Sequence, residues 1–507
     1  MRTSWPSFLE AIEHSGREHG SRPAFAAGEA TYNYSEFYAI AGGIRDALLG
    51  LGYGGGRRIG VVAGSSVQTS ASVLAIWSIG AAFVPLNIHY PGDRNRRIIA
   101  DAGLDLVLTS RPGNDWPEYL PPSDGNLTLL HTRDLAPASG KLSFPKPDPA
   151  EVAYLFFTSG STGVPKGVPI THANLSAFMN TFISGMGYDF TPEDRFLQMF
   201  ELTFDLSVVS MLAPLSVGGC CCPVPETGIK YLNVINVLAE RHVTVALMVP
   251  SILAYMRRFF PELRFPDLRL SQFCGEALMQ DLATEWSQCV PNARIENVYG
   301  PTEATIFCTR YEWEQARAEA EAANGIVPIG TAMPGTETYV VDDTGSQSPI
   351  GERGELCLAG DQVMQGYWND PAKTAESFLT LSSNGKDTAA YRTGDVVYVN
   401  ENGNLVYCGR KDSQVKIDGH RVELGEVEHF AHLYPGAASA AAVLIRDASG
   451  IERLKLFVAG QDIDLGGLES YLKANLAEYM WPAEIAILPE LPLNLNGKID
   501  RPALARL

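Results

Sequence analysis

The stretch that most constrains this chain runs from Val152 to Val168. Val152–Phe157 is an apolar run that reads as a buried strand. Thr158, Ser159, Gly160, Ser161, Thr162 and Gly163 then follow without one bulky side chain, and Pro165-Lys166-Gly167 closes the segment. Small residues let backbone N–H groups approach an oxyanion, the hydroxyls add donors, and Lys166 brings a cation. Such a loop suits a triphosphate. It lacks the Gly-Lys-Ser/Thr ending of the usual P-loop. A flexible linker is the alternative, but a linker has little reason to follow a hydrophobic strand or to embed Pro-Lys-Gly.

Around this loop the chain alternates strand-like and helical stretches. Arg58–Ala63 reads as a strand, Thr69–Phe83 as a helix, Phe83–Leu86 and Asp105–Thr109 as strands, and Pro121–Pro149 as a Pro-rich connector. Strands are expected again near Cys220, Val243–Val249, Leu270–Cys274 and Ile295–Val298. That rhythm predicts stacked α/β units with parallel sheets. From about Val327 short strands between Gly turns predict a β-rich subdomain, and the last hundred or so residues form a compact tail with helices near Glu426–Leu433 and Leu468–Leu476. With 507 residues, more than one domain is expected, and the division is placed at Asp412: 1–411 and 412–507.

Charge narrows the partners. Asp and Glu total 58 against 39 Lys and Arg, a net charge of −19, which argues against nucleic acid or an anionic membrane surface. The N-terminal Phe8–Glu13 reads as an amphipathic helix and not a signal peptide, and no apolar run is long enough to span a bilayer. None of the eight cysteines forms a metal-type pair, so they read as buried thiols of a cytoplasmic protein.

Taken in order, the motifs resemble the adenylate-forming superfamily, and specifically the amino-acid adenylation enzymes of peptide synthetases and the D-alanine–carrier protein ligases. The segments that carry the resemblance include Tyr34–Phe37, Gly80–Leu86, the loop 158–167, Phe204–Ser207, Asn297–Glu303 and Gly354–Leu356. They continue through Tyr391–Asp395, Gly409–Glu428, Glu478–Pro482 and Asn496–Lys498, and so cover nearly the whole chain. Phe204–Ser207 and Phe273–Glu276 look most like the D-alanine ligases. The resemblance implies a large N-terminal domain of stacked α/β subdomains plus a β-rich one, followed by a small, mobile α+β domain. It implies attack of a carboxylate on the α-phosphate of ATP, with release of pyrophosphate.

By that resemblance, Thr158–Lys166 would hold the β- and γ-phosphates, Thr302 and Glu303 would lie at the α-phosphate, and Glu303 would place Mg²⁺. Tyr299 would stack on adenine and Asn297 meet its amino edge, with Gly275, Glu276, Gly300 and Tyr407 lining the same nucleotide site. Asp395 would take both ribose hydroxyls, supported by Arg410. Lys498 would bridge the substrate carboxylate and the α-phosphate. Asp412 would be the hinge that swings Lys498 away, and Gly419 would line the tunnel for a phosphopantetheine arm. Plainer roles stay open: Asp395 as a turn cap, Glu303 as a helix cap, Lys498 as a solvated charge.

Asp205 bears on the substrate. In relatives that use α-amino acids the matching Asp pairs with the ammonium group, and a pocket carboxylate is otherwise costly to bury. The other positions matched to the pocket are Leu206, Val209, Leu247, Gln272, Cys274, Val298, Ile306 and Phe307. They are uncharged and mostly apolar, so a small or medium neutral amino acid is expected, alanine of either hand first. Gln272 is the polar exception that could read a side-chain hydroxyl or amide, and Cys274 reads as a pocket wall and not a nucleophile. The expected acceptor is the phosphopantetheine thiol of a separate carrier protein. An acyl- or aryl-CoA ligase and a catalytically silent nucleotide-binding protein are the alternatives.

Overall fold

The computed structural model describes residues 5–113, 117–120, 126–138, 142–159, 165–383, 386–411, 414–446, 451–461, 463–492 and 499–507. Two large sheets, mostly parallel, organise the first three hundred residues. One has six strands in the order Thr128–His131, Leu106–Thr109, Arg58–Val62, Ala82–Leu86, Val152–Thr158 and Lys166–Thr171. Its first five strands run parallel, and the last turns back antiparallel, pairing Thr158 with Lys166. The two strands that flank the Gly-rich segment therefore pair at the sheet edge.

The second sheet has nine strands, and Arg195–Gln198, Val245–Met248, Leu270–Phe273 and Arg294–Tyr299 form its parallel centre. Burial on both faces explains why these strands read as apolar runs in the sequence. A five-stranded antiparallel sheet follows, from Thr336–Val341 to Leu405–Arg410, and is the β-rich region the sequence indicates. After residue 411, no described strand pairs with an earlier sheet. Gln414–Ile417 and His420–Glu423 make a hairpin, and Ala437–Arg446, Glu452–Gly460 and Glu484–Leu488 make a three-stranded sheet under helices Leu424–His432 and Leu465–Asn475.

Two sequence-based boundaries shift. The helix expected to reach Phe83 ends at Ser78, because Gly80 adopts φ +72° and turns the chain into the strand Ala82–Leu86. The Pro-rich connector contains a strand, Thr128–His131, which extends the six-stranded sheet; four residues were too short a signal to stand out.

The small C-terminal unit is packed against the large one. Ile417, Val422 and Val427 share a buried cluster with Val84, Ile98 and Leu155, and Arg94 forms a buried ion pair with Glu426 at 2.9 Å. No helix among the described residues is long and apolar enough to cross a membrane.

Candidate active site

Carboxyl ends of parallel strands leave a crevice where ligands bind in open α/β sheets. Here three such ends converge: Thr158 closes Val152–Thr158, Cys274 and Gly275 follow Leu270–Phe273, and Gly300 follows Arg294–Tyr299. Together with Asp205, Thr302, Ile306, Asp395 and the hairpin residues Lys416, Gly419, His420 and Arg421 they line a cavity of about 100 Å³. A neighbouring cavity of about 320 Å³ is lined by Asn297, Val298, Tyr299, Tyr407, Glu276 and, shared with the first, Asp395, Arg410 and Lys416.

The phosphate-loop expectation falls partly outside the described residues: Gly160, Ser161, Thr162 and Gly163 are among those not described, as are Asp412 and Lys498. The loop's described flanks are in place. Thr158 lines the cavity with its Oγ1 buried and without a hydrogen-bond partner, the state of a donor built for a ligand. Ser159 Oγ donates to the Arg421 carbonyl at 2.8 Å, and Lys166 Nζ lies 3.6 Å from Glu423 Oε1.

Glu303 sits in a short 3-10 turn, Thr302–Ala304, and is fully buried. One nitrogen of Arg421 straddles its two oxygens at 2.9 and 3.0 Å, and the Tyr367 hydroxyl donates to it at 2.7 Å. Burial opposes ionisation, yet Arg421 and Lys166 overcome it and hold the carboxyl at about 2. As a magnesium site the donors fit only in part. Among the described residues no three ligating side chains cluster. In this arrangement the carboxylate already carries Arg421.

Asp205 lies just before helix Leu206–Val217, in the cavity wall, and is 8% exposed. Burial pushes its carboxyl up to about 6, with Thr302 and Lys416 acting the other way. Among the described residues no ion pair reaches it, in contrast to Glu303.

The nucleotide-side residues assemble, with differences. Asn297 donates from Nδ2 to the carbonyls of Val327 and Pro328, at 3.2 and 2.9 Å, so its oxygen is what remains to accept from an amino group. The Asp395 oxygens are not free, as the motif alone suggests: the Tyr299 hydroxyl donates to one and Arg410 Nη1 to the other at 2.7 Å. A carboxylate oxygen has a second lone pair, so ribose hydroxyls remain compatible. Glu276 faces the hairpin, accepting from Ser251 N and from Gly419 N at 2.8 and 2.6 Å. Gly300 could not be another residue, since a Cβ there would lie 2.3 Å from Phe307 Cα.

Of the expected substrate pocket, Leu206, Cys274 and Ile306 join Asp205 around the smaller cavity, and Val298 lines the larger. Val209, Leu247, Gln272 and Phe307 are buried and line neither. Gln272 Nε2 donates to Tyr188 Oη and Glu296 Oε2, at 2.9 and 2.8 Å, which ties that end of the amide into a buried polar cluster, while its Oε1 is buried without a partner among the described residues. The Cys274 thiol is pushed up to about 12 by burial, as befits a wall.

Sequence reasoning gave no role to Lys416, Arg421, Tyr367 or Glu423. Lys416 Nζ lies 5.9 Å from the Tyr299 ring centroid and Arg421 follows Gly419 by two residues. The alternation of Lys416-Ile417 and His420-Arg421 around a Gly turn was the available signal: a charged, exposed hairpin would not also place Ile417 and Val422 inside.

Comparison with known proteins adds the following. The family described as AMP-binding enzyme matches residues 12–368. The non-canonical nonribosomal peptide synthetase CymA of Salinispora arenicola is 35% identical over 99% of this chain, and a linear gramicidin synthase chain of Brevibacillus parabrevis is 33% identical over 98%. This chain spans only 6% of the length of each. Zwittermicin A synthase ZmaJ of Bacillus cereus is 32% identical over 94% of this chain and 90% of its own length. Among solved structures, the Vibrio cholerae adenylation domain AlmE in complex with glycyl-adenosine-5'-phosphate superposes with a TM-score of 0.84, at 26% identity, over 100% of this chain and 98% of that one. The nonribosomal peptide synthetase protein PA1221, containing adenylation and PCP domains, gives 0.86 at 26% identity, over 99% and 84%.

Proposed function

Because the chain belongs to the AMP-binding enzyme family, we propose that it activates a small or medium neutral amino acid, alanine of either hand first, and loads it onto a separate carrier protein. An oxygen of the amino acid carboxylate attacks the α-phosphorus of ATP and pyrophosphate leaves. A phosphopantetheine thiolate then attacks the acyl carbon and AMP leaves. The observation that carries the amino-acid reading is Asp205, a buried carboxylate in the cavity wall that forms no ion pair among the described residues, Lys416 acting on it without pairing. An ammonium group is the partner it lacks.

The reactants are anionic, so the residues act mainly by holding charge and geometry. Thr158 and Lys166 take phosphate oxygens, Asn297 accepts from the adenine amino group, and Asp395, steadied by Arg410 and Tyr299, receives the ribose. Magnesium, held by Glu303 once Arg421 withdraws, would neutralise triphosphate charge. Leu206, Cys274 and Ile306 bound the substrate side chain. Lys498 reaches the α-phosphate during adenylation, and the unit beginning at 412 swings about Asp412 so that Gly419 can line the thiol's path. AlmE, crystallised with glycyl-adenosine-5'-phosphate, supports the amino-acid class, and PA1221, with its PCP domain, supports the carrier.

An amino-acid panel in a pyrophosphate-exchange assay tests this. One or a few small neutral amino acids should promote exchange, and their desamino analogues should not. Lys498→Ala should cut exchange on the order of 10²–10³-fold while leaving transfer from supplied aminoacyl adenylate to a holo carrier largely intact. A preference for the desamino acids, or for coenzyme A over every carrier, overturns the reading in favour of an acyl-CoA ligase.

A further inference from the structure

One stretch of the cavity wall has backbone that its residues do not favour. Thr305 and Ile306, both β-branched and both buried, stand at φ +55° and +77°. Positive φ is an outlier for such side chains. Phe307 N donates to the Thr305 carbonyl at 3.0 Å, across Ile306, which makes Ile306 the centre of the rare, strained form of the γ-turn. Ile306 is also the member of this turn that lines the smaller cavity.

Backbone strain persists only where the neighbours over-determine it. Here the neighbour is Gln362, 2% exposed and just past the strand Gly354–Gly360 of the antiparallel sheet. A glutamine amide nitrogen has two hydrogens, and each holds one end of the turn. Gln362 Nε2 donates to the carbonyls of Ala304 and Phe307, both at 2.8 Å, and its own carbonyl accepts from Thr305 Oγ1. Behind it, Asn174 Nδ2 donates to the carbonyls of Asp361 and Val363 at 2.8 and 3.1 Å, so the backbone on both sides of Gln362 is fixed. Gln362 itself lines neither cavity.

Resting on the role given to Ile306 in the amino-acid reading above, we propose that Gln362 is a positioning residue for substrate choice. It holds the strained turn closed and thereby fixes Ile306 as a rigid wall against the side chain of the acid. Without the clamp the turn relaxes toward negative φ and Ile306 moves with it. Glu303 is spared, because Met364 N donates separately to its carbonyl at 2.9 Å.

Gln362→Leu keeps the bulk of the side chain and removes its donors. Steady-state adenylation is measured for the preferred acid and for its homologue one methylene larger. A firm apolar wall separates such a pair by about 10–200-fold in kcat/KM, and in the variant that ratio should shrink about tenfold. The change should appear in KM for the acid, with kcat and the KM for ATP within about twofold of the parent. Poorer folding alone would lower the rate for both acids equally and leave the ratio where it was. An unchanged ratio in folded protein overturns the proposal.

Two further variants isolate the route. Glycine accepts φ +77° without strain and presents no side chain. In an Ile306→Gly background, therefore, Gln362→Leu should move the ratio by less than about twofold, the non-additivity of residues that act through one another. A full tenfold effect there would show that Gln362 acts by another path, and the proposal fails. Should Gln362→Leu not fold, Thr305→Val carries the test. It keeps the shape, loses only the hydroxyl bond to the Gln362 carbonyl, and should shrink the ratio about threefold; no change overturns the proposal. The ratio is taken on whichever acids the parent activates. A parent that prefers desamino acids sinks the amino-acid reading, while the role of Gln362 stands or falls on the ratio between those acids.

Discussion

Glu303 and Asp205 are buried carboxylates at this site, and their surroundings set them in opposite states. Glu303 is fully buried, yet Arg421 and Lys166 hold it at about 2, firmly ionised. Asp205 is nearly as buried, and with no cation paired to it the loss of water pushes it up to about 6. Burial opposes both charges; only one has been compensated from within the chain. Glu303 is held by the fold in this arrangement, whereas Asp205 carries a cost that a bound ammonium would remove.

Asp205→Asn offers the largest test of that contrast. Stranding the substrate ammonium without its partner costs about 3–5 kcal/mol, or roughly two to four orders of magnitude in kcat/KM for the amino acid. ATP affinity should be unchanged, and the desamino analogue should lose far less. Equal losses for the two acids would break the comparison by making Asp205 a structural residue.

Stability should respond in opposite senses to removal of the two charges. Glu303→Gln leaves Arg421 buried beside a neutral amide and should lower unfolding free energy by about 3–5 kcal/mol. Asp205→Asn should be neutral or raise it at pH 7, by as much as about 3 kcal/mol, the worth of lifting a carboxyl from the usual range to about 6. Urea titrations of the free enzyme across pH sharpen the point. The Glu303 contribution is fully present above its unfolded value near 4.5 and is lost as pH falls toward about 2. The Asp205 penalty is fully present above about 6 and shrinks as pH falls from there to 3.8, because the folded protein takes up the proton first. The stability gap between parent and Asp205→Asn should therefore close on acidification from pH 7 to 4, while the gap to Glu303→Gln stays open over that range. A gap that does not move would show that Asp205 is not a strained carboxylate.

The smallest effect concerns Gln272. Gln272→Leu should cost about 1–2 kcal/mol through the lost bonds to Tyr188 and Glu296, and leave the ranking of an amino-acid panel unchanged. A changed ranking would return Gln272 to the substrate wall.

Much of the site was legible because its parts are local. Val152–Phe157 is a strand through apolar run length, and the Gly, Ser and Thr that follow it are a short-range pattern of the sequence. Thr302–Glu303 lie just past the strand Arg294–Tyr299 that was expected near Ile295–Val298, Thr393–Asp395 lie within the strand Lys386–Val399, and the texture change near Val327 marked the antiparallel sheet. Less was legible where a side chain's direction depends on what packs behind it. Matching by motif put Gln272, Val209, Leu247 and Phe307 on the substrate pocket, and in the structure all four are buried and line neither of the two cavities. A strand position alternates faces, but it does not say how thick the wall is.

The sequence by itself determined the family, the α/β architecture and which charged groups the motifs supply, because each is carried by spacing within a few residues. Only the tertiary structure decided which of those charges are answered. Arg421 and Glu303 stand 118 residues apart in the chain and meet through the packing of the small unit on the large one. Asp205 has no such visitor among the described residues. The energy of a buried carboxylate is set by the cation a few ångströms away, and that distance is fixed by how whole elements pack.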